Sequence, residues 1–426
     1  MTALALVLSI AAAILIQISI YLSLGFWRHW QAYQALRNVT AESEITVNSV
    51  TSPLVNVAAW AGYRNFNVER KVQEDKLGQV CSFYLVPEDK KPLPPFLPGQ
   101  FLTFELDTSS ALGGRQTVIR CYSLSDAPQA NSYRISVKRA PAPVGSQVRE
   151  GVASNYFHEL VEVGSRLQVR APAGHFYIDR SDAPVVLVGG GIGITPILSM
   201  LNWSLKEQAG REVWLFYGVR NKDELVMQSH LEDLAERHQN FHLHICMSNP
   251  QADDCIGPWA SRLHCHHGRV DVALLRRLLP LKPYHYHICG PTPMLQSLVP
   301  ALEDWGVPSG RIHFEAFGPA SIPRKKSVPP SLDTGVRSDK QTAVMVTFAN
   351  SGKTLVWEPG MGSLLDFAEG QGIAVSSGCR AGSCGSCQTS IRSGEVAYTQ
   401  APDFDPELGS CLLCVCTPKT AVTLEA

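Results

Sequence analysis

The chain has 426 residues, of which 45% are hydrophobic and 18% charged, and its formal net charge is −1. That length leaves room for two to four domains, and the composition excludes a chain that is disordered or of low complexity throughout. The near-zero charge gives no sign of nucleic-acid binding or of a broadly basic membrane-binding surface.

The N-terminus is one apolar run from Ala3 to Trp27, with no charge before Arg28. About 20 apolar residues suffice to span a bilayer, so residues 1–27 read as a transmembrane anchor. A cleaved signal peptide would need a positive n-region, which Met1-Thr2 does not offer. A buried core helix is the remaining reading, and the length and terminal position of the run count against it. Arg28 and Arg37 follow the run. By the positive-inside tendency they put the body of the chain on the cytoplasmic side of an inner membrane crossed once.

Residues 28–58 read as a juxtamembrane tether, partly extended over Val47–Val57. Residues 59–180 carry short runs rich in β-branched and aromatic residues, such as Gln100–Leu106, Tyr133–Lys138 and Arg166–Val169. Gly and Pro punctuate them, which suits an antiparallel β-barrel. The texture changes in residues 181–320. Pro184–Val188 is a buried-strand run that leads into Gly189-Gly190-Gly191-Ile192-Gly193, a helical pattern follows to about Gln208, and Glu212–Gly218 is strand again. Strand, glycine turn, helix and strand make a βαβ unit of an α/β domain with a parallel sheet. Residues 321–340, rich in Pro, Ser, Lys and Arg, have the composition of a linker. Residues 341–426 open on the strand pattern Thr342–Phe348 and form a further domain.

Six of the twelve cysteines fall between Cys379 and Cys416, and the rest are scattered. A secreted disulfide framework would be short and evenly Cys-dense, so this asymmetry points to a metal centre in a reducing compartment. Cys379, Cys384 and Cys387 have C-x4-C-x2-C spacing, and a further cysteine follows within Cys411-Leu412-Leu413-Cys414-Val415-Cys416. That is the arrangement of a [2Fe-2S] cluster, in which each iron takes two thiolates besides the bridging sulfides. Zinc favours paired C-x2-C knuckles and fits the four-residue gap poorly. Residues 342–426 thus resemble a plant-type ferredoxin, which implies an α+β, β-grasp-like fold. On an extended segment Cys414 and Cys416 would share a face about 7 Å apart and Cys411 would point away. The ferredoxin pattern, matched by Leu413-Cys414-Val415-Cys416-Thr417-Pro418, selects Cys414 as the fourth ligand.

Arg120-Cys121-Tyr122-Ser123-Leu124-Ser125 is a weak signal alone. Pro98-Gly99-Gln100-Phe101 lies upstream and Gly151-Val152-Ala153-Ser154-Asn155-Tyr156-Phe157-His158 downstream. Together, residues 59–320 resemble the ferredoxin–NADP reductase superfamily, and most closely the reductase portion of flavohaemoglobins. The resemblance implies that Tyr122 packs on the isoalloxazine ring, that Ser123 sits near the reactive flavin nitrogen, and that Arg120 binds the pyrophosphate, for which its bidentate fork is suited. Gly151 and Ser154 would bind phosphate at the start of a helix. Reductases of the phthalate dioxygenase type share this domain order but use FMN and carry a more Gly-rich string at Val152–Asn155, so FAD is favoured. Gly189, Gly190, Gly191, Gly193, Thr195 and Pro196 form the first nicotinamide motif, opening a helix after a strand. Cys289, Gly290, Pro291 and Met294, after the strand Tyr286–Ile288, form the second. By the same resemblance Cys289 lies near the hydride path, Glu315 assists proton handling, and Phe317 covers the flavin until nicotinamide displaces it. His264-Cys265-His266-His267 reads as a partly exposed loop before Gly268-Arg269-Val270, and no metal is assigned to it.

The set of cofactors, FAD, NADH or NADPH, and a [2Fe-2S] cluster, describes a converter of hydride into single electrons. The chain has no 2-His-1-carboxylate, haem or di-iron motif of its own. Its acceptor is therefore another protein, and the anchor points to a membrane-bound or membrane-associated iron oxygenase, hydroxylase or desaturase. One alternative is a respiratory NADH dehydrogenase feeding a quinone or another carrier. In the sodium-pumping type, however, the ferredoxin domain directly follows the helix, whereas here it comes last. The other alternative is an iron–sulfur redox sensor, which has no use for a complete nicotinamide site. NADH is favoured over NADPH because Asp223 and Glu224 follow Arg220 and Lys222 and would repel a 2′-phosphate. Residues 341–426 hold four basic and eight acidic side chains, a balance of −4 that suits a basic partner.

Overall fold

The computed structural model describes Gln17, Trp60 and residues 62–108, 117–141, 151–256, 263–317, 343–373, 375, 377–378, 380, 382, 385–399, 402 and 406–426. The expected anchor apart from Gln17, the tether up to residue 58, the linker 321–340, and the ligand candidates Cys379 and Cys384 lie outside the described residues. Among those described, no helix is long and apolar enough to cross a membrane. The chain divides into Met1–Val57 and Ala58–Ala426, and the second unit holds every element below.

Strands β1 (Tyr63–Gln73), β2 (Val80–Pro87), β3 (Phe101–Asp107), β4 (Thr117–Ser123), β5 (Tyr133–Lys138) and β6 (Arg166–Ala173) pair antiparallel in the order β4-β3-β6-β1-β2-β5. A bridge from Leu124 to Ile135 joins the two edges, closing the sheet into the expected barrel. The strands bury Phe66, Phe83, Leu85, Leu102 and Phe104 completely. Helix α1 (Val152–Glu159) packs against this core through Ala153 and Phe157. Its Phe157 ring lies 5.2 Å from Phe83, 5.4 Å from Phe104 and 5.0 Å from Tyr122, each edge-on, the favoured aromatic geometry.

The next domain is an α/β layer. It contains β7 (Val185–Gly190), α2 (Ile194–Glu207), β8 (Val213–Val219), α3 (Gln228–Arg237), β9 (Phe241–Met247), β10 (Cys265–His267), α4 (Val272–Leu278), β11 (His285–Gly290), α5 (Thr292–Asp304) and β12 (Ile312–Ala316). All six strands run parallel in the order β10-β9-β8-β7-β11-β12. Val185 to Val188 are all fully buried because helices cover both faces of the sheet. Leu187 and Leu215 pack on one side, Val188 and Phe216 on the other. The strand order reverses between β7 and β11, which creates a crevice at their C-terminal ends, where open α/β sheets bind ligands. The stretch His264–His267 was expected as a loop. Instead Cys265–His267 extends the sheet as an edge strand on Ile245–Met247, and Cys265 forms a disulfide with Cys255. The pairing is short, which explains why no alternating pattern marks it in the sequence.

The C-terminal domain holds β13 (Val344–Phe348), β14 (Lys353–Trp357), α6 (Leu364–Gly370), β15 (Gln388–Ser393), β16 (Val396–Tyr398), β17 (Ser410–Leu412), β18 (Cys416–Pro418) and β19 (Val422–Leu424). The main sheet has the order β14-β13-β19-β15-β17, with β13 and β19 parallel, and β16 pairs with β18. Ser363 starts α6 with a capping box: its hydroxyl accepts from Asp366 N, and the Asp366 carboxylate accepts from Ser363 N at 3.0 Å. The three late cysteines do not lie on one extended segment. Leu413–Val415 is a 3-10 turn between two strands, so the expected alternation fails. Cys411 and Cys416 are both fully buried and hydrogen-bonded to each other, whereas Cys414 sits on the turn and is partly exposed.

Candidate functional site

Two cavities flank the strand ends of the α/β domain. The first, of about 380 Å³, lies where all three domains meet. The barrel supplies Arg120, Tyr122 and Ser123 from β4, with Lys138 from β5. The α/β domain supplies Thr195, Glu315 and Phe317. The C-terminal domain supplies Ser377, Gly378 and Arg380. Tyr122 is fixed by edge contacts with Phe104 and Phe157, and burial pushes its phenol up, so it stays neutral. Ser123 is buried beside it. Arg120 is exposed and donates from Nη1 to Ile119 O at 2.7 Å, and it has no acidic partner among the described residues. Phe317 is 45% exposed, an unusual state for a Phe, and forms one wall. A flat aromatic group between Tyr122 and Phe317, with an anion at Arg120, fits this lining.

Gly151 and Ser154 do not line that cavity. Gly151 caps α1, which begins at Val152 and not at Ser154. The Ser154 hydroxyl donates to Gly151 O and accepts from Ala140 N, at 3.0 and 3.2 Å. The side chain therefore braces the helix start, and the first-turn N–H groups, which have no intrahelical acceptor, are what α1 offers to a phosphate.

The second cavity, of about 350 Å³, is the crevice at the switch point. Gly190, Gly191, Gly218, Arg220, Glu224, Ser248, Gly268, Arg269, Pro291 and Met294 line it. Its shape depends on close backbone approach. A Cβ on Gly193 would lie 2.3 Å from Cys289 O, and one on Gly290 would lie 2.4 Å from the Met294 methyl. The two glycine motifs thus press β7 and β11 together and leave room above them for a dinucleotide. Gly189, Gly193, Pro196, Cys289 and Gly290 are buried beneath the crevice and do not line it. Cys289 was expected near the hydride path. It is fully buried beside Glu315 across the β11–β12 pair, and burial first, then the Glu315 carboxylate, raises its thiol far above the usual range. Arg220 donates from Nε to Glu224 at 2.7 Å. Burial works to raise the Glu224 carboxyl, but the Arg220 contact holds it below the usual carboxylate range.

In the C-terminal domain Gly382 and Gly385 adopt φ of 76° and 72°. A Cβ on Gly382 would lie 3.1 Å from Val415, the residue after Cys414. Gly382 therefore lies against the turn that carries Cys414, and Cys387 lies buried just before β15. Cys387 and Cys414 are the two described members of the four-thiol set that a [2Fe-2S] cluster needs. Arg380, at φ 56°, pairs through both terminal nitrogens with the two oxygens of Glu369, the Nη1 contact at 2.9 Å. Sequence reasoning missed Ser377, Gly378 and Arg380 as cavity walls, because only folding brings the cluster loop there. It also missed Gly268 and Arg269 in the crevice, although Gly268-Arg269-Val270 was a legible signal.

The pattern described as "Oxidoreductase FAD-binding domain" matches residues 79–178, "Oxidoreductase NAD-binding domain" matches residues 187–299, and "2Fe-2S iron-sulfur cluster binding domain" matches residues 346–419. The chain is 34% identical over 295 residues to a flavohemoprotein of Halalkalibacterium halodurans, covering 69% of this chain and 68% of that protein. It is 36% identical over 264 residues to one of Oceanobacillus iheyensis, where the match spans 62% of this chain and 61% of the relative, less than two thirds. The solved FAD/NAD-binding domain of a nitric oxide dioxygenase from Vibrio cholerae is 32% identical, covers 61% of this chain and all of that one, and superposes with a TM-score of 0.52. An intact type IV self-sufficient cytochrome P450 monooxygenase, 22% identical, shares the fold over 85% of this chain and 41% of its own, with a TM-score of 0.52.

Proposed function

Because this chain belongs to the ferredoxin–NADP reductase superfamily and carries an FAD-binding, an NAD-binding and a [2Fe-2S] domain in one polypeptide, we propose that this NAD(P)H oxidoreductase is a membrane-anchored reductase component. It passes electrons one at a time to a membrane-associated iron oxygenase, hydroxylase or desaturase. FAD, when bound, takes up hydride and releases single electrons to a cluster. The observation that carries the reading is the shared cavity, in which Tyr122 and Ser123 of the barrel face Phe317 and the cluster-loop residues Gly378 and Arg380. A flavin held there would be lined by residues of the α/β domain on one side and of the cluster-bearing domain on another.

The chain's own residues then have separate tasks. Arg120 holds an anionic tail, Tyr122 orients the ring, and Phe317 shields it from water. Glu315, at the cavity wall, is the group placed to exchange a proton with the ring. Cys387 and Cys414, with Cys379 and Cys384, hold the cluster. The apolar run Ala3–Trp27, followed by Arg28, supports an anchor with the catalytic body on the cytoplasmic side. The acidic balance of residues 341–426 supports a basic docking face on the acceptor.

The test is reconstitution of the full chain in lipid vesicles. NADH should reduce ferricyanide and cytochrome c, the activity should sediment with the vesicles, and removal of residues 1–27 should release it into solution. Activity that stays soluble with the full chain overturns the anchor. Cytochrome c reduction that survives loss of the cluster overturns the electron route.

A further inference from the structure

The crevice has two walls that come from different parts of the chain, and one covalent link joins them. The first wall is the end of β8 with the turn Arg220–Glu224. The second is Gly268-Arg269-Val270, directly after β10. Cys265 is the first residue of β10, whose pairing continues as Gly268 N donates to Met247 O at 2.8 Å. Cys255 follows Asp254, whose buried carboxylate accepts from Lys222 N at 3.1 Å and from Gln251 N at 2.9 Å. Asn249 N also donates to Arg220 O at 2.8 Å. The segment ending at Cys255 is therefore strapped to the first wall, and Cys265 carries the second. The disulfide Cys255–Cys265, with a Cα separation of 5.6 Å, staples them together.

The surroundings of the pair set it apart from the buried thiols outside the cluster region. Cys81, Cys246 and Cys289 are free and buried, and burial keeps them protonated and inert. The cluster cysteines must remain thiolates to hold iron, so the chain works where thiols persist. A disulfide in such surroundings belongs to the exchangeable class, provided it can be reached. Cys255 and Cys265 are both partly exposed, beside Ile256, which is 64% exposed.

We propose that Cys255 and Cys265 form a reversible thiol–disulfide site that sets how tightly the crevice holds its dinucleotide, an inference that rests on the crevice being the nicotinamide site. A cellular thiol of the glutathione class attacks one sulfur as thiolate and releases the other cysteine, and a second such thiol attacks the small-molecule sulfur of the mixed disulfide, releasing the remaining protein thiolate, which takes up a proton. The products are two protein thiols and one oxidised reductant, a transfer of two electrons and two protons. With the link intact the walls are held at the spacing the dinucleotide needs. With it open, the ten-residue separation between the cysteines is no longer closed, and ordering of the walls must be paid for on binding.

The experiment uses the full chain with FAD and cluster bound, its visible spectrum recorded throughout to confirm that the cluster is retained. Samples are equilibrated in glutathione buffers from fully oxidised to fully reduced, then quenched by alkylation. The mass of the peptide carrying Cys255 and Cys265 reports the linkage, and calorimetry with NAD⁺ reports affinity. Both thiols should appear together across the series, and NAD⁺ should bind about fivefold more weakly to the reduced form, roughly 1 kcal/mol. Cys255→Ser and Cys265→Ser should match the reduced chain in every buffer. The wild-type series alone decides the matter if a variant fails to fold. A peptide that stays linked in excess reductant, or equal NAD⁺ affinity in the two states, overturns the proposal. Absence of NAD⁺ binding in both states, with normal thiol exchange, identifies the nicotinamide reading as the part at fault.

Discussion

The two cavities are built on opposite principles. The crevice belongs to one domain and is shaped by backbone approach, with Gly190, Gly193 and Gly290 letting β7 and β11 meet. The three-domain cavity is shaped by side chains that reach it from β4, β12 and the cluster loop. A crevice of the first kind tolerates almost no added volume, yet it is indifferent to the rest of the chain. A cavity of the second kind tolerates repacking but exists only while three domains stay together. Hydride binding and electron exit are therefore separable by mutation, and each of the following changes tests that separation.

The largest effect is expected from Gly193→Val. Its Cβ would meet the backbone oxygen of Cys289 at 2.3 Å, where no side chain can rotate away. NADH oxidation with ferricyanide should be abolished, with a loss of several kcal/mol in stability by urea titration. Near-normal activity would show that the two glycine motifs do not pack as described. Cys414→Ser should be as severe for the cluster and nearly silent for the crevice. The visible cluster bands and the paramagnetic signal should vanish while FAD content and ferricyanide reduction persist. Cys411→Ser and Cys416→Ala should keep both signals, because those thiols face each other inside the core. A cluster lost in either of these, and kept in Cys414→Ser, reverses the assignment.

Acid should strike the α/β domain next. His287 is fully buried on β11, stacked 4.7 Å from His313, and burial, then the charge of His313, push it down to about 3. His244, stacked against Trp214 and His264, is likewise pushed down to about 3. Between pH 6.5 and 3 the unfolded chain binds protons there that the folded chain refuses, so stability present above the unfolded value is lost as pH falls. Melting followed from pH 7 to 4 should show a drop that His287→Phe reduces. An unchanged drop in that variant would place the sensitivity elsewhere.

Much of this contrast was legible in the sequence. The glycine strings, the parallel-run hydrophobicity of Val185–Val188 and the cysteine spacing each encode a local requirement, and local requirements leave patterns. What stayed hidden depends on contacts distant in sequence. Nothing in Ser377-Gly378 says that it will face Tyr122, and two cysteines ten residues apart do not declare a disulfide. The placement of Cys411, Cys414 and Cys416 was misjudged because alternation was assumed through Leu413–Val415, where the chain turns. The ferredoxin pattern pointed to Cys414, and the structure leaves that residue as the partly exposed one of the three.

The smallest predicted effect concerns the choice between NADH and NADPH, and here the structure sharpens the expectation. Asp223 and Glu224 were paired as acidic neighbours that would repel a 2′-phosphate. Only Glu224 lines the crevice; Asp223 lies 3.4 Å from Lys76, which belongs to the loop between β1 and β2. Arg220, the cation that would welcome a phosphate, is already engaged by the Glu224 carboxylate. A phosphate arriving there must displace that carboxylate and remain beside it, two anions competing for one guanidinium. Glu224→Gln removes the competitor and keeps the shape. The ratio of kcat/KM for NADH over NADPH should fall by about tenfold, roughly 1.4 kcal/mol, mainly through a lower KM for NADPH. Asp223→Asn should leave the ratio as it is. If Glu224→Gln has no effect while Arg269→Ala shifts the ratio, the discriminating contact lies on the opposite wall, the one that the Cys255–Cys265 link holds in place.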